Sequence, residues 1–364
     1  MKITAVTTTV VAIPYEYDGP RHSLGGKDWN TLDILLVRVD TDAGLTGWGE
    51  AFGHGGIPTA RAALDTLVGP FMIGRDATDI VGTMRAAHHS MHLFGRGGAL
   101  TYALSGVDIA LWDLAGKRAG LPLHQLLGGS AHRSVPAYAS LLRYGDPATV
   151  ARNAAAAVAQ GYRAVKLHEI TAPAVQAARD AVGPDVLLMN DANCPWSVAE
   201  ARAMAEALRP LDLHWLEEPV WPPEDHHGLA QVRAVGVPIA AGENAASVND
   251  FLHAFQAGAL DVAQPSVAKI GGVTEMRKVI ALGEAHGVRV APHCAYFGPG
   301  FLASLHIAAT LPGPPPLERL FVDLEASPFS PWTEAKDGHL QVPQSPGLGC
   351  DPDPAVVARY AVKP

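Results

Sequence analysis

The stretch Val186–Pro219, VLLMNDANCPWSVAEARAMAEALRPLDLHWLEEP, decides the fold. It opens on a short apolar run ending in Asp191, passes through an Ala-rich segment of helical character, and closes on a second apolar run ending in Glu217. A short run, a helix and another short run make one strand–helix–strand unit of a parallel sheet. The unit recurs on both sides: VPAYAS, RAVKLH, VLLMND, LHWLEE, PIAAGE, DVAQPS, VRVAPH and RLFVDL follow one another from about residue 134, with helical patterns between them. Eight such runs predict an α/β architecture, a (β/α)8 barrel of the TIM type, whose chemistry belongs at the carboxyl ends of its strands.

Ahead of the barrel, ITAVTTTVVAI and DILLVRVDTDAGLTGWGEA read as strands turning through Asp42-Ala43-Gly44, with helical stretches near 58–69, 76–92 and 98–118. Strands followed by helices predict an α+β layout. The expected division is an N-terminal α+β capping domain at 1–128, the barrel at 129–323, and a Pro/Gly-rich segment at 324–364 that packs back on the capping domain.

The composition narrows the partners. A chain of 364 residues, 48% hydrophobic and 17% charged, has the material for a large core. A net charge of −9 without any Lys/Arg run argues against nucleic acid or an anionic membrane and leaves a small-molecule substrate. The N-terminus has no cleavable apolar leader, and no 18 apolar residues run together, so neither export nor membrane insertion is expected. Cys194, Cys294 and Cys350 have no metal-type spacing and leave one unpaired in any disulfide scheme, which suits the cytoplasm.

Asp191, Glu217 and Glu243 end three consecutive runs at equal intervals of 26 residues. One acid at a strand end reads most simply as an N-cap of the next helix. Three at one period place carboxylates on neighbouring strands, at one height, where they repel unless a cation sits between them. An all-oxygen set suits Mg²⁺ and disfavours Zn²⁺. Alternation turns Glu218 away from the centre. Two runs carry bases: Lys166 and His168 share one face of the run before Asp191, and His293 ends the run two beyond Glu243. Proton carriers are thereby expected on opposite sides of whatever the metal holds, as abstraction of a proton α to a metal-bound carboxylate requires.

With LSGVDIALWDLAGKRAGLPLHQLLGG (104–129), WLEEP, AGEN, AKIGGVTE and the late GLG in this order, the chain resembles the mandelate racemase branch of the enolase superfamily over essentially its whole length. The resemblance implies that Asp191, Glu217 and Glu243 ligate Mg²⁺. Lys166 matches the first residue of the family's Lys-x-Lys motif, His168 stands where its proton-abstracting lysine stands, and His293 matches the acid or base of the opposite face. It also implies that PYEYDGPRHS (14–23) and GEAFGHGG (49–56) close over the substrate, with Tyr15, Tyr17, His22 and His54 as candidate contacts beside Asn193, Ser266 and Lys269. Ser266 stands where the family has an aspartate that orients the seventh-strand histidine, which should leave His293 a weaker base and a readier acid. The acid expected after the eighth run has Glu318, Asp323 and Glu325 as candidates without a settled register, and the segment after His168 is short for the family. The leading expectation is a Mg²⁺-dependent dehydratase of a sugar acid or related hydroxy acid. A racemase or epimerase, a lactone cycloisomerase and, more remotely, a non-catalytic metal-binding scaffold stay open; a homo-oligomer is expected.

Overall fold

Val, Ile and Thr populate Ile3–Glu16 and Thr31–Thr41, and both form long strands that pair antiparallel, with Thr46–Ala51 added at the edge. The structure is a computed structural model that describes residues 1–20, 23–24, 27–129 and 132–362. Gly44, at φ +74°, supplies the left-handed turn between the second and third strands. Helix Ala99–Ala119 lies on this sheet and is buried on nearly every face. The approach is close because both sides are glycine: a Cβ on Gly49 would stand 1.9 Å from the carbonyl oxygen of Gly106.

That helix also grips the second layer. Ser105, Asp108 and Trp112 lie along one helical face. Ser105 Oγ accepts from Gly271 N at 2.8 Å, Asp108 Oδ1 accepts from Thr274 N at 3.0 Å, and Trp112 Nε1 donates to Thr274 Oγ1 at 2.9 Å. The LSGVDIALW and AKIGGVTE motifs therefore meet, and their contact anchors the start of helix Gly272–His286 just after Lys269.

The second layer is a set of eight parallel strands: Ser134–Ser140, Ala164–Leu167, Leu187–Asp191, Trp215–Glu217, Ile239–Ala241, Val262–Ala263, Arg289–Val290 and Leu317–Leu320. The first seven pair in sequence order, and the eighth pairs with the first. Helices connect the strands. The eighth strand corrects the expected run RLFVDL: it is LERL, beginning directly after Pro314-Pro315-Pro316, while Asp323–Leu324 pairs with Ile3–Glu16 instead. Hydrophobic continuity favoured the wrong window because the true strand carries two charges, one of them turned inward.

One inward layer explains the site above it. Tyr138, Ala164, Met189, Trp215, Ala240, Val262 and Ala291, one from each of seven strands or their ends, form a single buried cluster. Two residues further along come Ser140, Lys166, Asp191, Glu217, Gln264 and His293, all buried. A period of two thus sets a polar ring on an apolar floor.

The segment 324–364 reaches both layers. Glu325 N bonds to Pro14 O at 2.9 Å and Val362 N to Val10 O at 2.8 Å, while His339–Gln341 pairs antiparallel with Ser134–Ser140. Buried His124 and His306 fasten this junction, with Nδ1 atoms 3.0 Å apart and His306 Nε2 3.1 Å from Leu348 O. His306 accordingly donates from Nε2 and accepts at Nδ1, a role open only to the neutral ring. Burial lowers the pKa of both imidazoles, His306 to about 3. A base depressed on folding stabilises the fold above its unfolded value near 6.5, and that stability is lost as pH falls towards 3. From the His306 value, lowering the pH from 8 to 5 should cost about 2 kcal/mol. Urea-unfolding midpoints should therefore fall less over this range in His306→Leu than in the wild type, and equal slopes would disprove the assignment. Among the described residues, no helix is long and apolar enough to cross a membrane, and Cys194, Cys294 and Cys350 are free thiols.

Candidate active site

The polar ring faces a cleft of about 450 Å³ at the carboxyl ends of the parallel strands, lined from the first layer by Trp29, Phe52 and His54. Asp191 and Glu217 are register partners on adjacent strands. Glu243 reaches them differently. Glu217 is level with Ala240, so Glu243 lies beyond its strand, and Gly242 turns the chain back with φ +125° where a Cβ would stand 2.5 Å from the ring of Phe251. The expected equal height is thus corrected, yet one oxygen from each of the three acids lies within 4.8 Å of the others.

This oxygen set fits Mg²⁺. Cationic groups already crowd round it: Lys166 Nζ is 3.5 Å from Asp191 and 3.0 Å from Glu217, and Lys269 Nζ is 3.5 Å from Glu243 and 4.5 Å from the centre of the Phe52 ring. Trp215 Nε1 donates to Glu217 Oε2 at 2.9 Å, fixing that carboxylate from below. Burial raises the pKa of Glu217 to about 7 against the pull of Lys166; burial acts the same way on Glu243, but His293 and Lys269 hold it well below the usual value.

Two imidazoles flank the acids. His168 Nε2 is 3.3 Å from Asp191 Oδ2, and its Nδ1 bonds to the carbonyl oxygen of Leu141. The carbonyl accepts, so Nδ1 carries the proton and Nε2, beside Asp191 at the cleft, is the nitrogen that can gain or lose one. On the other side, His293 Nε2 is 3.0 Å from Glu243 Oε2 and 3.8 Å from Glu318 Oε2. Burial lowers the pKa of each ring, and the carboxylates outweigh it: Asp191 raises His168, while Glu243 and Glu318 raise His293.

Ser266 does not take over the orienting role of the family's aspartate. Its hydroxyl pairs with Tyr296 OH at 3.0 Å, Tyr296 OH donates to the main-chain carbonyl of His293 at 3.0 Å, and His293 Nδ1 has no hydrogen-bond partner among the described residues. The expectation that His293 lacks carboxylate support is corrected too, because Glu243 and Glu318 supply it at Nε2.

Glu318 is the acid whose register the sequence left open. It points into the ring, where Oε1 meets Lys166 Nζ and Ser140 Oγ, both at 2.8 Å, and Oε2 accepts from Cys294 N at 2.9 Å. Burial raises its pKa, but Lys166 and His293 bring it down to about 2. Lys166, wholly buried, thus stands among three carboxylates, which raise it well above its ordinary value against the opposing effect of burial. Asp323 and Glu325 lie outside the ring.

Asn193, at φ +56°, donates from N and Nδ2 to Asp191 Oδ1 at 2.8 and 3.0 Å and lines the cleft. Arg143 went unforeseen. Its Nε bonds to His168 O at 2.6 Å, and its Nη2 to Ala192 O and Asn193 Oδ1 at 3.1 and 3.0 Å, which clamps the ends of the first three strands. Only its place directly after the first strand could have hinted at this. Glu218 does turn from the centre, at φ +43°, and accepts from Asn244 Nδ2 at 2.7 Å.

Of the candidate cap contacts, His54 is in the cleft, edge-on to Phe52 and Trp29 with centroids at 4.8 and 5.5 Å. Burial, with Lys269 and His293, lowers its pKa to about 4, so it is neutral near pH 7. Tyr15 is not: it is buried beneath, donating to Trp29 O at 2.6 Å. Tyr17 borders a separate hollow with Asn153 and Arg319, and His22 lies outside the described residues.

Comparison with known proteins agrees with this geometry. Residues 5–128 match the mandelate racemase / muconate lactonizing enzyme N-terminal domain, and residues 149–356 the enolase C-terminal domain-like family. The chain is 36% identical to a 3,6-anhydro-alpha-L-galactonate cycloisomerase of Streptomyces coelicolor, with 91% of this chain and 92% of that protein covered. It is 33% identical to a D-galactarolactone cycloisomerase of Agrobacterium fabrum, with 96% of each covered. A magnesium-bound racemase structure from Streptomyces coelicolor superposes with a TM-score of 0.85 at 33% identity, over 99% of this chain and all of the other. The chain belongs to the mandelate racemase / muconate lactonizing enzyme family of the enolase superfamily.

Proposed function

We propose that this protein takes the proton α to the carboxylate of a sugar acid with His168 and expels an oxygen from the β-carbon, His293 giving that oxygen its proton. The observation that carries this reading is the placement of two imidazole Nε2 atoms on opposite flanks of the acid triad, at Asp191 and at Glu243. Asp191, Glu217 and Glu243 would hold Mg²⁺, which when bound supplies a Lewis acid that stabilises the negative charge left on the substrate carboxylate as the α-proton departs. His168 receives the proton at Nε2 because its Nδ1–H is committed to Leu141 O. Lys166 stays an ammonium among its carboxylates and offsets their charge. His168 faces one carboxylate, Asp191, whereas His293 faces two, Glu243 and Glu318; Glu318 is outside the triad and would keep its full charge beside His293 with Mg²⁺ bound, which sets His293 as the acid and weighs against the base role there that racemisation would need.

The fate of the β-oxygen sets the product. A free hydroxyl leaves as water, giving a dehydratase. An oxygen tethered in a ring stays attached at its other end, so the same bond cleavage opens the ring and the product is an isomer. Relatives named cycloisomerases at 33–36% identity fit the second outcome and relatives named D-galactonate dehydratase family members at 33% fit the first, and the apolar cleft walls Trp29, Phe52, Leu142 and Leu320 favour a compact substrate. Incubation of the Mg²⁺-loaded protein with open-chain, anhydro and lactone sugar acids should yield a 2-keto acid from at least one. If one acid is only epimerised, or exchanges its α-hydrogen with D2O while no keto product forms, β-elimination is wrong.

We also read the eight parallel strands as closing into a barrel. The eighth pairs with the first, and the link from Cys294 N to Glu318 spans the gap between the seventh and eighth. The division at 1–128, 129–323 and 324–364 is supported by the two sheets, with the last segment joining both.

A further inference from the structure

A second cavity, also about 450 Å³, lies between helix Ile80–Ser90, the Gly95–Gly98 loop and helix Gly272–His286, and shares no lining residue with the catalytic cleft. Its walls carry Arg85 and His88 from the first helix, Arg96 from the loop and Lys278 from the second. The one carboxylate among them, Glu275, is already paired with Lys278. The guanidinium groups of Arg85 and Arg96 have neither a hydrogen bond nor an ion pair among the described residues. His88 Nε2 is buried without a hydrogen-bond partner among the described residues, 3.4 Å from where a Cβ of Gly271 would stand. Burial lowers the pKa of His88; Glu275 opposes this, and Lys278 and Arg96 add to it, so these charges all bear on one spot. Two cations without a counter-charge among the described residues, a third paired with Glu275 and an orphaned ring nitrogen, in a chain of net charge −9, make a locally positive hollow. Its cationic side chains come from three separate elements, and two of them are guanidinium groups, which pair bidentately with phosphate oxygens.

We propose that this cavity binds a small tetrahedral oxyanion of the phosphate class. The lining also includes Ala246, Ser247 and Ile270; Ala246 lies two residues beyond Asn244, and Ile270 directly follows Lys269. A bound phosphate would therefore tie the first layer to two loops of the catalytic cleft.

The test is calorimetric titration of the full, Mg²⁺-loaded chain with inorganic phosphate, at an ionic strength held constant with chloride. One saturable site per chain is expected, weakened at least about tenfold, about 1.4 kcal/mol, in the Arg85→Ala/Arg96→Ala double variant. Both side chains are exposed and unpaired, so the double variant should keep the wild-type unfolding midpoint. Glu243→Gln, which alters the catalytic cleft, should keep the phosphate affinity. Absence of saturable binding, binding undiminished in the double variant, or binding abolished by Glu243→Gln would each overturn the proposal.

Discussion

Replacing His168 by Asn should slow α-proton exchange by roughly 10²- to 10⁴-fold, the usual worth of a positioned general base, while leaving Mg²⁺ affinity within a few-fold of wild type. The reasoning is geometric. Two basic groups sit side by side in AVKLHE, but one meets three carboxylates and the other a single one, Asp191. Lys166 Nζ has carboxylate oxygens at 2.8, 3.0 and 3.5 Å, and as an ammonium among them it has no lone pair to offer. His168 has Nδ1 bound to a carbonyl and Nε2 turned to the cleft, and Arg143 fixes its main chain. Asn can still donate to Leu141 O, so the loop should survive the change. The control is His293→Asn, which should retain exchange in D2O and lose formation of the keto product, because it removes the acid and leaves the base. Unimpaired exchange in His168→Asn would move the base to another side chain and sink the assignment.

Glu318→Gln should destabilise the protein by about 3–5 kcal/mol, the cost of leaving one member of a buried ion pair uncompensated, and should abolish turnover with it. Glu318 is buried at 1% exposure, and its two oxygens serve Lys166, Ser140, Cys294 N and, at longer range, His293. An amide keeps the shape and one acceptor but removes the charge nearest the ammonium. The loss should be larger with Mg²⁺ present, since Asp191 and Glu217 would then share their charge with the ion and Glu318 would become the main counter-charge of Lys166. Urea-unfolding midpoints with and without Mg²⁺ measure this directly. A change below about 0.5 kcal/mol in both states would mean that Lys166 is held by the triad alone.

Both variants bear on what could be read in advance. Asp191, Glu217 and Glu243 were legible because each follows an apolar run at a constant interval, and the strand–helix repeat converts that interval into neighbouring positions. The constancy also misled, since it suggested one height, whereas Glu243 arrives from beyond its strand by a turn that only Gly242 can make. Lys166, His168 and His293 were legible for the same reason as the first two acids. Glu318 was not, because a charged residue turned into a core breaks the hydrophobic pattern by which strands are found, and what excuses it is a lysine 152 positions away in the chain. Arg143 and Tyr296 act through main-chain carbonyls, and such contacts leave no mark on composition or periodicity. Tyr15 and Tyr17 share a plausible loop with the cap contacts, yet strand alternation and ring packing turn them elsewhere.

By itself, then, the sequence determined the repeat, the three clustered acids and the imidazoles that flank them, because all of these are local patterns that a period of two and a strand–helix unit carry into space. Tertiary structure alone decided which base is free, which acid balances Lys166, and how His293 is held. Those depend on distances between strands far apart in the chain, and the protonation of a buried group is set by the charges that folding brings within about 4 Å of it.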